Sequence, residues 1–127
     1  MPAGPDALAA PANTVQRVLA ASGAVLAALS VGLAAYASHA VDASARPHLM
    51  LAAIFAFGHG VALASLAPAC RRRLGIGALA ALLLGVLLFS GSLAGGQLLG
   101  WPTRLAPTGG SLMILAWLAL GIDLGRR

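Results

Sequence analysis

The chain has 127 residues, of which 60% are apolar even before its 16 glycines are counted, and only 9% are charged. A soluble domain averages about 45–50% apolar with glycine included and about 25% charged, so a water-soluble fold is excluded. Disorder is excluded by the same figures, because disordered chains are poor in apolar residues.

The net charge of +5 comes from eight arginines set against Asp6, Asp42 and Asp123, with neither Lys nor Glu. On a soluble domain that balance would suggest nucleic acid. Here the arginines flank apolar runs and read as topology determinants, so the expected partner is the lipid bilayer and no nucleic acid. Cys70 stands alone, which excludes an intramolecular disulfide and a Cys-based zinc cluster.

Residues 1–14 carry three prolines and read as a flexible tail ahead of a single domain over residues 15–127. Val18 to Ala37 is a run of 20 residues without a charge. At 1.5 Å rise per residue it spans ~30 Å, the thickness of a hydrocarbon core. It predicts a helix over about 17–38, with Asn13 or Thr14 as cap. The polar segment Asp42 to Arg46 follows, and Pro47 suits the first turn of a second helix over about 48–67. Past Arg71, Arg72 and Arg73, an uncharged run from Leu74 to Leu99 predicts a third helix over 74–99, long enough to tilt or to bend at Gly95-Gly96. After a loop with two prolines and Trp101, a fourth helix is expected over about 107–124. No run alternates as a transmembrane strand does, so the expected fold is all-α, a four-transmembrane-helix bundle.

Four spans place both termini and the Arg71 to Arg73 loop on one side. That side collects Arg17, Arg71, Arg72, Arg73, Arg126 and Arg127, against Arg46 and Arg104 on the other. By the positive-inside rule the termini are cytoplasmic, or matrix-facing in an organelle. The alternative is a cleaved signal peptide ending at Ala35-Tyr36-Ala37, which would leave three helices.

Small residues allow close backbone approach where helices gain no hydrophobic drive from meeting. On helix three, Ala81, Gly85, Ser92 and Gly96 fall on one stripe and are the expected packing face, within the bundle or between copies. Gly91 with Gly95, Gly96 with Gly100 and Gly121 with Gly125 repeat the spacing.

Polar residues inside the apolar runs are few. His59 follows His48 by 11 residues, ~16 Å deep along its helix. Ser90, Ser92 and Gln97 lie toward the outer half of helix three, and His39 ends helix one. These five form the candidate intramembrane polar site. Burying an ionisable residue in lipid is costly and demands a partner, and the hydroxyls of Ser90 or Ser92 are the expected ones for a neutral His59. His59, Ser90, Ser92 and Gln97 could alternatively line a path for a small solute or a proton.

A bis-histidine haem needs two ligands at one depth, and His39 and His59 differ by ~15 Å by helical rise, so the pair fails. His39 and His48 are level, and with Asp42 make at most a weak metal site at a water interface. No Gly-rich phosphate loop, HExxH, GxSxG or CxxC occurs. No catalytic, cofactor-binding or metal residues are therefore assigned, and neither enzyme activity nor a cofactor is expected.

Phe89 to Leu93 reads FSGSL, Ala106-Pro107-Thr108-Gly109-Gly110 is a TP-x-GG-like segment, and AYASHAV (Ala35 to Val41) and GHGVAL (Gly58 to Leu63) precede them. In this order, over about 100 residues, the set resembles the domain of unknown function 423 family of small bacterial membrane proteins, relatives of the transmembrane-protein-256-like proteins. The sequence departs from the family pattern at Ala94, where Tyr is usual, at Ala106, where Thr is usual, and at Gly58, where an aromatic is usual. The resemblance implies a four-helix inner-membrane protein of no assigned activity. It also weakens the signal-peptide reading, since AYASHAV would be the end of helix one in the family. The expected role is that of a small structural or accessory membrane subunit, packing against itself or another membrane protein.

Overall fold

The computed structural model describes residues 10–126, arranged as α1 (Thr14–His39), α2 (Arg46–Leu66), a 3-10 turn (Ala67–Ala69), α3 (Arg73–Leu99) and α4 (Leu105–Gly125). All four helices are long and apolar enough to cross a membrane. Of the expected tail, residues 1–9 lie outside the described residues. Within the rest, Thr14 is already helical, and each helix reaches one to three residues beyond the expected start.

Those extensions have local causes. Asn13 has extended backbone and its side-chain oxygen accepts from Gln16 N at 2.9 Å, while Gln16 Oε1 accepts from Asn13 N at 2.7 Å. This reciprocal capping box satisfies two of the amides a helix start leaves without partners, and so fixes the first turn at Thr14. Before α2, Asp42 Oδ1 accepts from Ser44 Oγ at 2.9 Å and Ala45 N at 3.0 Å. The Ala45 amide, and after it the Ser44 hydroxyl, holds the Asp42 carboxyl below its ordinary value. Pro47 and Pro107 each sit in a first turn, where a missing N–H removes no helical bond.

α3 continues as helix through Gly95-Gly96 and stops at Gly100, whose φ of 70° is left-handed. Glycine takes that conformation without steric cost, and Trp101 N closes the end by donating to Gly95 O at 3.2 Å.

The helices form two hairpins, α1 with α2 and α3 with α4, joined where α2 packs on α3; α1 touches α3 less extensively. Each hairpin is closed by a glycine pair. A Cβ on Gly23 would lie 2.5 Å from Gly60 O, and one on Gly60 would lie 2.6 Å from Gly23 O. In the second hairpin a Cβ on Gly109 would lie 2.6 Å from Gly85 O, and one on Gly85 would lie 3.0 Å from Gly109 O. Real Cβ atoms do not come within 2.5–2.6 Å of backbone, so Gly23, Gly60 and Gly109 let these helices meet at this separation, and the 3.0 Å contact at Gly85 is tighter than most. Leu63, Leu79, Leu82, Val86, Met113 and Leu120 fill the space between the hairpins. The outer surface carries exposed Val, Leu and Ile, among them Val18, Leu29, Ile54, Leu84 and Leu118.

Hydrogen bonds tie the four helix ends at the arginine-rich pole. Gln16 Nε2 donates to Cys70 O and, at 3.5 Å, to Pro68 O. Arg71 donates to Pro11 O at 3.3 Å and to Ala10 O, and Arg72 Nη2 donates to Arg126 O at 3.1 Å. Arg17, Arg71, Arg72, Arg73 and Arg126 therefore share one end of the bundle. At the opposite end Arg46 Nε donates to Ala37 O at 3.1 Å.

Candidate functional site

His59 is half-buried on α2, with its two ring nitrogens engaged in different ways. Trp117 Nε1 on α4 donates to His59 Nε2 at 3.1 Å, and His59 Nδ1 lies 2.8 Å from Phe55 O. An indole N–H can only donate, so Nε2 must be an acceptor, and Phe55 O can only accept, so the proton sits on Nδ1. The geometry thus defines a neutral imidazole of one tautomer with both positions satisfied. Phe55 stacks on the imidazole at 5.8 Å and meets Phe89 of α3 at 4.7 Å, while Trp117 approaches His59 edge-on at 5.9 Å. One aromatic cluster therefore connects α2, α3 and α4.

The serines are not the partners of His59. Ser90 Oγ donates to Ala52 O of α2 at 2.8 Å, and Ser92 Oγ to Pro102 O at 3.4 Å. The reason is orientation: Ser90 faces the Ala52 carbonyl of α2, about two turns from His59, while Trp117 of α4 stands at the imidazole. Gln97 and His39 are exposed near the end opposite the arginine pole. The five expected polar residues thus divide into an α2–α4 bond, an α2–α3 bond, a loop anchor and two exposed side chains. They do not converge on one group.

Among the described residues, no three His, Cys, Asp or Glu side chains come together as metal ligands, so His39, Asp42 and His48 do not form a ligand set.

The helix-three stripe also divides. Gly85 is the point of contact with α4, and Ala81 is half-buried against the core. A Cβ on Gly96 would meet Thr103 Cγ2 at 2.8 Å, and Gly95 lies under the Trp101 ring, so this end of the stripe receives the α3–α4 loop and not a helix. Gly91, Gly100, Gly121 and Gly125 have nothing within 4 Å of a built Cβ, and their spacing marks no contact.

Two groups went unnoticed as structural residues in the sequence. Gln16 is 1% exposed and bonds three backbone groups. The N-x-x-Q spacing of Asn13 and Gln16 is the signal that could have found it. Trp117 is the other: an indole N–H in an apolar run needs a partner, and it lies ~18 Å along α4 where His59 lies ~20 Å along α2 from the same end. Asp123 is fully buried, its Oδ2 and Cys70 Sγ both against Gly75 where a side chain would otherwise stand.

Replacing Trp117 by Phe should keep the ring packing yet leave His59 Nε2 without its donor, lowering stability by about 1 kcal/mol, the scale of interhelical bonds in lipid. His59→Leu should cost a similar amount, and His59→Gln, whose amide still accepts, should cost less. Thermal unfolding in detergent decides; a His59→Leu protein as stable as the native one would remove the structural role.

The fold and these seams define a class: a four-helix protein whose helices all have membrane-crossing length and apolarity, and whose seams are tied by Gln16, Ser90 and the Trp117–His59 pair. Residues 33–110 match the family described as protein of unknown function (DUF423), from the last turns of α1 to the first turns of α4. The match covers more than half of the chain, and the chain belongs to this family. No solved structure matches it.

Proposed function

We infer that the chain is a multi-pass protein of a bacterial-type inner membrane, with cytoplasmic termini, serving as a small structural or accessory subunit that neither catalyses a reaction nor holds a cofactor. The carrying observation is the closed interior. Both hairpins meet through glycine backbone, and the buried hydroxyl of Ser90 and amide of Gln16 end on backbone carbonyls. A bundle so closed spends its polar groups on cohesion and offers its apolar exterior to lipid and to protein neighbours, another copy or a different membrane protein. The clustering of arginines at the pole where α1 begins and α4 ends supports the orientation.

Reporter fusions after Arg126 and within the Arg71 to Arg73 loop should both report the cytoplasm, and a fusion near Arg104 the far side. Opposite sides for the first two would overturn the four-span reading. Mild extraction should yield an assembly larger than one chain; a stable lone monomer would overturn the subunit reading.

A further inference from the structure

The side of α1 that faces away from α2 carries a trough with a cationic mouth. One depression of 390 Å³ is lined by Thr14, Arg17, Val18 and Ala21, and a second of 430 Å³ runs on between α1 and α3. They share Val18 and Ala21, so they form one continuous trough, whose far part is walled by Val25, Leu29, Leu83 and Leu87. α1 is also the least covered helix, with 17% of its apolar stretch buried against 39% for α2 and α3.

We propose that this trough binds one anionic phospholipid, with the phosphate at Arg17 and an acyl chain lying along α1 against Leu83 and Leu87. The proposal rests on the membrane reading above.

Length, charge and the unfavourable alternative all point this way. From Arg17 to Leu29 the helix rises ~18 Å, close to the ~15 Å of one leaflet, half of a ~30 Å hydrocarbon core. A guanidinium at the start of the trough therefore stands at headgroup depth while the walls run at tail depth. Arg17 is exposed, and its guanidinium makes no hydrogen bond or ion pair with any described residue. It lies in the first turn of α1, where the helix dipole adds positive potential, and Arg71 is bound to the residues just before that turn. Asp123, the acidic side chain described at this pole, is buried at Gly75 and does not line the trough. A second copy of the chain is the poorer occupant, since a two-fold interface sets the same patch against itself and would bring Arg17 toward its own image.

The test has two arms. Carbonate washing of membranes asks whether the chain is integral; release into the wash would overturn the membrane reading and the lipid site together. For an integral chain, native mass spectrometry of detergent-purified protein is titrated with phosphatidylglycerol or with phosphatidylcholine of the same chains. One saturable phosphatidylglycerol adduct is expected, tighter than phosphatidylcholine. Arg17→Gln should weaken it about fivefold, the equivalent of roughly 1 kcal/mol for one basic side chain at a bilayer surface, and Arg17→Lys should restore most of it. Ala21→Trp should fill the trough and weaken both lipids. Equal binding of the two lipids, an Arg17→Gln protein with native affinity, or an assembly that Ala21→Trp breaks and phosphatidylglycerol leaves intact would each overturn the site while leaving the membrane reading intact.

Discussion

Gly23→Ala should destabilise the protein by about 2 kcal/mol or more, a large loss for the addition of one methyl group. The new Cβ would stand 2.5 Å from Gly60 O, 2.7 Å from Ala64 N and 2.7 Å from Leu63 Cβ. Two of these are backbone atoms that cannot rotate away, so α1 must lift off α2. Lifting loosens contacts along the whole hairpin, because packed interiors lose much of their dispersion energy over gaps below 1 Å. Gly32→Ala in the same helix is the control. Nothing lies within 4 Å of its Cβ, and alanine is up to about 1 kcal/mol better than glycine in a helix, so this change should be neutral or stabilising. Gly60→Ala should resemble Gly23→Ala, with a Cβ 2.6 Å from Gly23 O. The double variant should cost less than the sum, since one separation of the helices accommodates both methyl groups. Unfolding in detergent measures all four proteins; equal stability of the Gly23 and Gly32 variants would sink the account of the hairpin contact.

The contrast between Gly23 and Gly32 also shows what was legible in the sequence. The four helices were, because each uncharged run is long enough to cross a bilayer, and the arginines between runs mark the ends. Boundaries slipped by one to three residues because capping by Asn13 and the polar turn at Asp42 extend helix past the last apolar residue. Gly85 was legible as a contact, whereas Gly121 and Gly125 matched the same spacing and face open space. Spacing within one helix says that a smooth strip exists; it does not say that another helix lies on it. The Gly23–Gly60 contact carries the same small-residue spacing, Gly23 with Ala27 and Gly60 with Ala56 and Ala64, but spacing within each helix does not pair the two. His59 was legible as a buried group in need of a partner, but choosing Trp117 over Ser90 or Ser92 required knowing which faces of α2, α3 and α4 meet.

At the arginine pole the corresponding weak point is Gln16, and Gln16→Leu should cost about 2–4 kcal/mol, the sum of a lost cap and of the buried Cys70 carbonyl left without its donor. Leucine matches the volume of the buried side chain, so packing is nearly preserved and the loss falls on hydrogen bonds. Three are removed: Asn13 N to Gln16 Oε1, Gln16 Nε2 to Cys70 O, and the longer one to Pro68 O. The latter two are the link between the start of α1 and the segment leading into α3, which the short turn after α2 cannot supply by itself. Gln16→Glu separates the two roles. A carboxylate still accepts from the Asn13 amide and suits the positive end of the helix, yet it has no proton to give to Cys70 O, so its loss should lie between that of leucine and zero. Cys70 provides a local readout, since it is 1% exposed in the native protein and lies where the lost link would open. Maleimide labelling of Cys70 under native conditions should be slow in the native protein, faster in Gln16→Glu and fastest in Gln16→Leu, ahead of any global unfolding. If the thiol stays as protected in Gln16→Leu as in the native protein, and the melting temperature is unchanged, then Gln16 caps α1 without holding the pole together.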